Sequence, residues 1–181
     1  MAILDCSDEL DCFLATVERK AFRMAELATS SREDALDLVQ DTMLELVRRY
    51  ASRPSDEWRP LFYRILQSRI RDWYRRQKVR NRWRTWLHQD EDNPGEDPLA
   101  TVADPAAVDP LQQVIQSLSM DVLQSALRRL PLRQQQVFLL RIWEGLDVKA
   151  TAAAMGCSAG SVKTHYSRAV HSLRDSLQEY V

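Results

Sequence analysis

Apolar residues recur along most of this chain at steps of three and four, which is the spacing of one face of an α-helix. From Asp8 to about Thr29 they are Leu10, Phe13, Leu14, Val17, Phe22 and Leu27. Thr29, Ser30 and Ser31 interrupt the pattern, and Ser31 with Asp34 three residues on resembles a capping box. The helix this starts runs to about Tyr50, with Leu36, Val39, Met43, Val47 and Tyr50 as its expected core stripe. Asp37, Gln40, Asp41 and Leu44 occupy another face, an acidic patch around one apolar residue. Arg53 to Asp56 reads as a loop, and Pro60 fits the first turn of a third helix. In that helix Phe62, Leu66, Ile70 and Trp73 share a side, as core residues would.

A second helical unit begins at Leu111, where Leu118, Val122, Leu123, Leu127 and Leu130 supply a core before Pro131 breaks the chain. Arg133 to Glu144 predicts one amphipathic helix, with Val137, Leu140 and Trp143 on one side and Gly145 ending it. Asp147 caps a short helix through Met155, Gly156 makes the turn, and Ser158 caps the last helix. There Val162, Tyr166, Ala169, Leu173 and Leu177 form one stripe. The small Ala150, Ala152, Ala153 and Ala154 let the two helices of this hairpin approach closely. No internal repeat is visible.

Charge changes the picture. The formal net charge is only −1, but the charges are segregated. Arg53 to Arg84 holds eleven Arg and Lys against three acids. Arg64, Arg71, Arg75, Lys78 and Arg82 fall along one side, widened by Arg69, Arg76 and Arg80. Trp58, Tyr63, Trp73, Tyr74, Trp83 and Trp86 are interleaved with them, two or three of which are expected to stack on bases while the others are core. A basic, aromatic stripe suits single-stranded or melting DNA. The last helix adds Ser161, Lys163, Thr164, His165, Ser167 and Arg168 opposite its apolar stripe, which suits phosphates and base edges in a major groove. Between these units His88 to Pro110 carries seven acids, four prolines and no Lys or Arg, the composition of a spacer that could also shield the basic helix. The fold expected is all-α, with two small helical domains at 1–87 and 111–181 joined by an acidic flexible linker at 88–110.

Other chemistries find no support. Cys6, Cys12 and Cys157 are odd in number and lack metal-ligand spacing, so neither a zinc site nor a disulfide framework is indicated. With three His, no Gly-rich phosphate loop and no nucleophile–base pair, no catalytic residue, metal or other cofactor is expected. No run of about 18 apolar residues exists and the N-terminus is too acidic for a signal peptide, so a cytoplasmic protein is expected.

Two stretches carry a resemblance. DALDLVQDTMLEL at Asp34 to Leu46, then LFYRILQSRIRDWYRRQKVR at Leu61 to Arg80, resemble region 2 of the extracytoplasmic-function (group IV) sigma factors of the sigma-70 family. LPLRQQQVFLLRIWEGL at Leu130 to Leu146, then MGCSAGSVKTHYSRA at Met155 to Ala169, resemble their region 4. The resemblance implies an RNA polymerase specificity subunit that directs promoter recognition and initiation. Asp37, Leu38, Gln40, Asp41 and Leu44 match the segment that docks on core polymerase. Arg53 to Trp58, with Arg64, Arg71, Asp72, Trp73, Arg75, Arg76 and Lys78, match the part that recognises and opens the −10 element. Ser158, Ser161, Lys163, Thr164, His165, Ser167 and Arg168 match the reader of the −35 element. The linker corresponds to the connector that threads towards the active-site and RNA-exit channels. Implied partners are core RNA polymerase, promoter DNA and an anti-sigma factor, with no small-molecule substrate. Thr151 and Cys157 depart from the family's usual aliphatic residues, which predicts looser packing at the turn. No further domain is expected after Val181, nor an extended N-terminal region. The rival readings are a free-standing helix-turn-helix regulator, which would bind a two-fold symmetric site alone, and a sequestering module with no promoter-dependent transcription.

Overall fold

The computed structural model describes residues 2–87 and 110–178, and every element in them is helical. The linker expectation at 88–110 lies almost wholly outside the described residues. The first half is α1 (Ala2–Thr29), α2 (Arg32–Tyr50) and α3 (Ser55–Leu87). Ser30 takes a left-handed φ of 55° to reverse the chain, and Ser31 Oγ then accepts from Asp34 N at 3.2 Å, so the predicted cap forms. The core of this half is aromatic. The Phe13 ring lies 5.9 Å from Trp58 and 6.1 Å from Phe62, which meets Tyr63 edge-on at 5.4 Å.

Two expectations fail in this half. The buried face of α2 consists of Ala35, Leu38, Val39, Thr42 and Leu46, while Leu36 is 50% and Val47 39% exposed. Small Ala35, and Thr42 with its hydroxyl turned back onto Leu38 O at 2.6 Å, let α2 pack closely against both α1 and α3. A stripe drawn through the large apolar residues alone is therefore rotated away from the true one. The third helix also starts earlier, at Ser55, leaving Pro60 inside it rather than in its first turn. Trp58 anchors that early turn, buried with its Nε1 donating to Tyr50 O at 3.0 Å.

The second half is α4 (Pro110–Arg129), α5 (Leu132–Phe138), a π-helical turn (Leu139–Trp143), α6 (Val148–Met155) and α7 (Ala159–Gln178). The single helix expected over Arg133–Glu144 thus widens its pitch part-way, as Glu144 N bonds Leu139 O at 3.1 Å and Leu146 N bonds Leu140 O at 3.0 Å. The widened turn puts both Leu139 and Leu140 in the core and leaves Trp143 partly in solvent, against expectation. Glu144, at its end, is buried.

The hairpin that follows forms as its sequence predicts. Asp147 Oδ1 accepts from Ala150 N at 2.6 Å, capping α6. Gly156 ends it at φ 61°, while its N–H reaches Ala153 O and the Cys157 N–H reaches Ala152 O at 3.1 Å, a Schellman closure. A β-carbon at Gly156 meets no atom closer than Arg71 Nη1 at 3.8 Å, so the cost of Gly156→Ala is conformational. It should lower stability by about 1–2 kcal/mol, read as a shift in the denaturation midpoint. No shift would show that the turn tolerates an ordinary residue. Thr151, where the family's usual residue is aliphatic and looser packing was expected, is fully buried, with Oγ1 donating to Asp147 O at 2.7 Å.

The two halves are packed together: α3 lies against α6, and α1 touches α4 and α5. Nothing in the hydrophobic periodicity announced that contact.

Candidate nucleic-acid interface

Helix α7 sets out its two faces as the apolar spacing requires. Val162, Ala169 and Leu173 are buried, with Tyr166 packed at the edge. Lys163, Thr164, Ser167 and Arg168 are exposed on the other side, and His165 is half-buried between them. At its start Ser158 Oγ accepts from Ser161 N at 3.1 Å and lies 2.9 Å from Ser161 Oγ. An exposed helix start with two hydroxyls, a Lys and an Arg can take phosphate oxygens on its N–H groups and offer longer side chains to base edges.

On α3 the arginine row is divided by what it touches. Arg69 is held by α2, with Nη1 at 2.9 Å from Asp41 and Nη2 at 2.8 Å from Glu45. Arg71 is half-buried and donates to Met155 O, in the turn of the helix-turn-helix, where Arg133 Nη1 also donates at 3.0 Å. Burial first, and then the adjacent Arg133, pull the Arg71 guanidinium below its ordinary pKa. Arg64, Arg75, Arg76 and Lys78 are exposed, with Asp72 Oδ1 3.7 Å from Arg75. Of the interleaved aromatics, Trp58 and Tyr63 are core, Trp73 is half-buried and Tyr74 is exposed, whereas Trp83 and Trp86 have side chains outside the described residues.

The sites expected separately are neighbours. A groove of about 580 Å³ is lined by Arg71 and Arg75 of the −10 set together with His165 and Arg168 of the −35 set, with Tyr74 and Leu132 as its apolar part. A second of about 380 Å³ brings Leu38 and Asp41 beside Asp72, Arg75 and Arg76. On α2, Asp37, Gln40, Asp41 and Leu44 are exposed, and Leu36 and Val47 extend that surface. Leu38 departs from its expected role: at 6% exposure it belongs to the core, because α2 turns it towards its neighbours. The loop expected at Arg53–Trp58 is in large part the first turn of α3.

Sequence reasoning missed Glu144, Lys20, Arg59 and Arg133. Glu144 has a side chain with 0% exposure, paired through Oε2 to Arg59 at 2.9 Å and through Oε1 to Lys20 at 3.3 Å. The hint in the sequence was its place four residues after Leu140 and seven after Val137, on the apolar side of the helix.

Comparison with known proteins decides between the readings. Residues 10–80 match the model of sigma-70 region 2, and residues 120–173 match that of sigma-70 region 4. The chain belongs to the sigma-70 family of RNA polymerase sigma factors. It is 28% identical over 170 residues to the RNA polymerase sigma-E factor of Streptomyces coelicolor, covering 93% of this chain and 86% of that one. The sigma-E factor of Streptomyces avermitilis is 46% identical over 46 residues, a quarter of either protein. In fold, this sigma factor is similar to RpoE of Bartonella quintana, solved with the anti-sigma factor NepR (TM-score 0.61, 24% identity, 96% of this chain and 97% of that one). CnrH, solved with the cytosolic domain of CnrY, is similar at TM-score 0.53 and 19% identity, covering 96% of this chain and 95% of CnrH. Both likenesses speak to fold. Among the described residues of this sigma factor, no group of His, Cys, Asp or Glu could hold a metal ion, and no helix is long and apolar enough to cross a membrane.

Proposed function

We propose that this sigma factor is of the extracytoplasmic-function group (group IV) and acts in the cytoplasm with residues 1–87 as region 2, 88–110 as a linker and 111–181 as region 4. The observation that carries the reading is the order of two sigma regions, the second a helix-turn-helix with an exposed cationic face. Core polymerase docks on the α2 surface of Asp37, Gln40, Asp41 and Leu44, backed by Leu38 from beneath. Arg64, Arg71, Arg75, Arg76 and Lys78 hold the −10 strand, with Asp72 and Trp73 beside the base that leaves the stack, a step costing a few kcal/mol. On α7, Lys163, Thr164, His165 and Arg168 read or position the −35 element, while Ser158, Ser161 and Ser167 favour phosphates. Phosphate contacts provide most of the affinity, and base edges provide the discrimination. The polymerase performs the bond chemistry. RpoE and CnrH were solved bound to NepR and CnrY, which supports an anti-sigma partner here as well.

Run-off transcription with purified core polymerase and a genomic promoter library tests the whole reading: transcripts should start at a defined subset of promoters only when this chain is added. A chain that leaves the polymerase's promoter choice unchanged contradicts it. Arg168→Ala should weaken binding by about 1–3 kcal/mol and relax one −35 position if Arg168 reads a base. A uniform loss across all promoter sequences, with a shallower salt dependence, reassigns Arg168 to phosphate.

A further inference from the structure

We infer that Glu144 is a latch that holds the two halves of this sigma factor closed and keeps part of its DNA surface covered. The carboxylate belongs to the second half, but both of its cationic partners belong to the first: Lys20 from α1 and Arg59 from α3. The backbone beside it joins in, as Lys20 Nζ donates to Trp143 O at 3.4 Å and Arg59 Nη2 to Glu144 O at 3.5 Å. Glu144 directly follows the π-helical turn, whose last bond its own N–H makes to Leu139 O at 3.1 Å. Tyr63, in the core of the first half, lies in the field of the same carboxylate. Burial first, and then Glu144, raise its pKa, so its hydroxyl keeps its proton there.

Apolar residues of both halves share one buried core, and the polar contacts that cross between the halves are incompletely satisfied. Gln135 Nε2 donates to Leu27 O at 3.1 Å and Gln136 Nε2 to Gln67 O at 3.4 Å, both across the halves. Gln67 Oε1 and Gln136 Oε1 are buried there without a hydrogen-bond partner. Buried ion pairs roughly cancel their own desolvation, and unsatisfied amide oxygens oppose closure, so these polar contacts specify one arrangement while adding little to its stability. Polar contacts of this kind suit a joint that can open.

Closure has a consequence for DNA. Arg71 of the −10 set is tied to Met155 O in the helix-turn-helix, and His165 and Arg168 of the −35 set face Arg75 across the same groove. Two elements separated along a promoter cannot both be read by surfaces that converge on one groove of about 580 Å³, far too small for a duplex. The DNA part of this inference rests on the sigma-factor reading, whereas the closure does not.

The test compares the full-length chain with Glu144→Gln and with the double variant Lys20→Ala/Arg59→Ala. Small-angle scattering reads the separation of the halves, circular dichroism the helicity, and fluorescence anisotropy the affinity for a mixed-sequence DNA duplex without polymerase. With native helicity, both variants should show a larger radius of gyration. Both should also gain about tenfold or more in duplex affinity, the effect of freeing a competent state that is otherwise a minor population. If Glu144→Gln loses helicity, the double variant decides, because its two side chains are about half-exposed and not part of either core. Wild-type dimensions in a natively helical double variant overturn the latch. Expansion with no gain in duplex affinity overturns the masking role and leaves closure without a DNA function.

Discussion

The double substitution Asp37→Lys/Leu44→Asp on α2 is expected to lower affinity for core polymerase by about a hundredfold or more while leaving thermal stability within about 0.5 kcal/mol. Both side chains stand in solvent on a helix whose buried face is Ala35, Leu38, Val39, Thr42 and Leu46, so the fold does not depend on them. What they do form is an exposed surface in which Leu36, Leu44 and Val47 lie among Asp37, Gln40 and Asp41. An apolar residue ringed by charge is the composition of an interface centre, and reversing both characters removes the anchor and inserts repulsion. Surface-immobilised core polymerase, titrated with wild-type and variant chains, measures this. Equal affinities would detach this surface from polymerase binding, whatever the rest of the chain does.

Phe62→Ala should be the most damaging single truncation in the first half, costing about 3–5 kcal/mol. The ring is fully buried and sits against Phe13 and Tyr63, so its removal leaves a cavity in the aromatic cluster between α1 and α3. Tyr74→Ala, more than three turns further along the same helix but exposed, should cost no more than about 0.5 kcal/mol. Urea unfolding of the two variants by circular dichroism separates them. A Phe62→Ala midpoint close to that of Tyr74→Ala would mean that the aromatic cluster is not what holds α1, α2 and α3 together.

Local signals in the sequence were reliable where one residue does one backbone job. Ser31, Asp147, Gly156 and Ser158 cap or end helices as their chemistry dictates, and the α7 stripe of Val162, Ala169 and Leu173 is buried as its spacing requires. The exposed positions of α7 follow from that stripe, so which of its residues face solvent was largely legible in the sequence. Counting large apolar residues misled on α2, because Ala35 and Thr42 occupy buried positions that larger side chains could not. The same habit carried a regular pitch through Leu139–Trp143, where the chain widens and turns Trp143 outward. Contacts between the halves were invisible for a different reason. They include Lys20, Arg59, Arg71, Gln135, Gln136 and Glu144, polar residues whose partners in the other half no periodicity shows. Likewise the basic row on α3 reads as one surface in sequence but is divided in space, Arg69 to α2 and Arg71 to the helix-turn-helix.

Sequence-selective DNA binding should arise only when this chain is mounted on polymerase, with its halves apart. Footprinting a responsive promoter with the wild-type chain alone, with core polymerase alone and with both together tests this most directly. The account predicts two separated upstream protections, at −35 and −10, in the combined sample and neither in the other two. Protection of a two-fold symmetric site by the chain alone, unchanged on adding polymerase, would contradict it and make the protein a free-standing regulator.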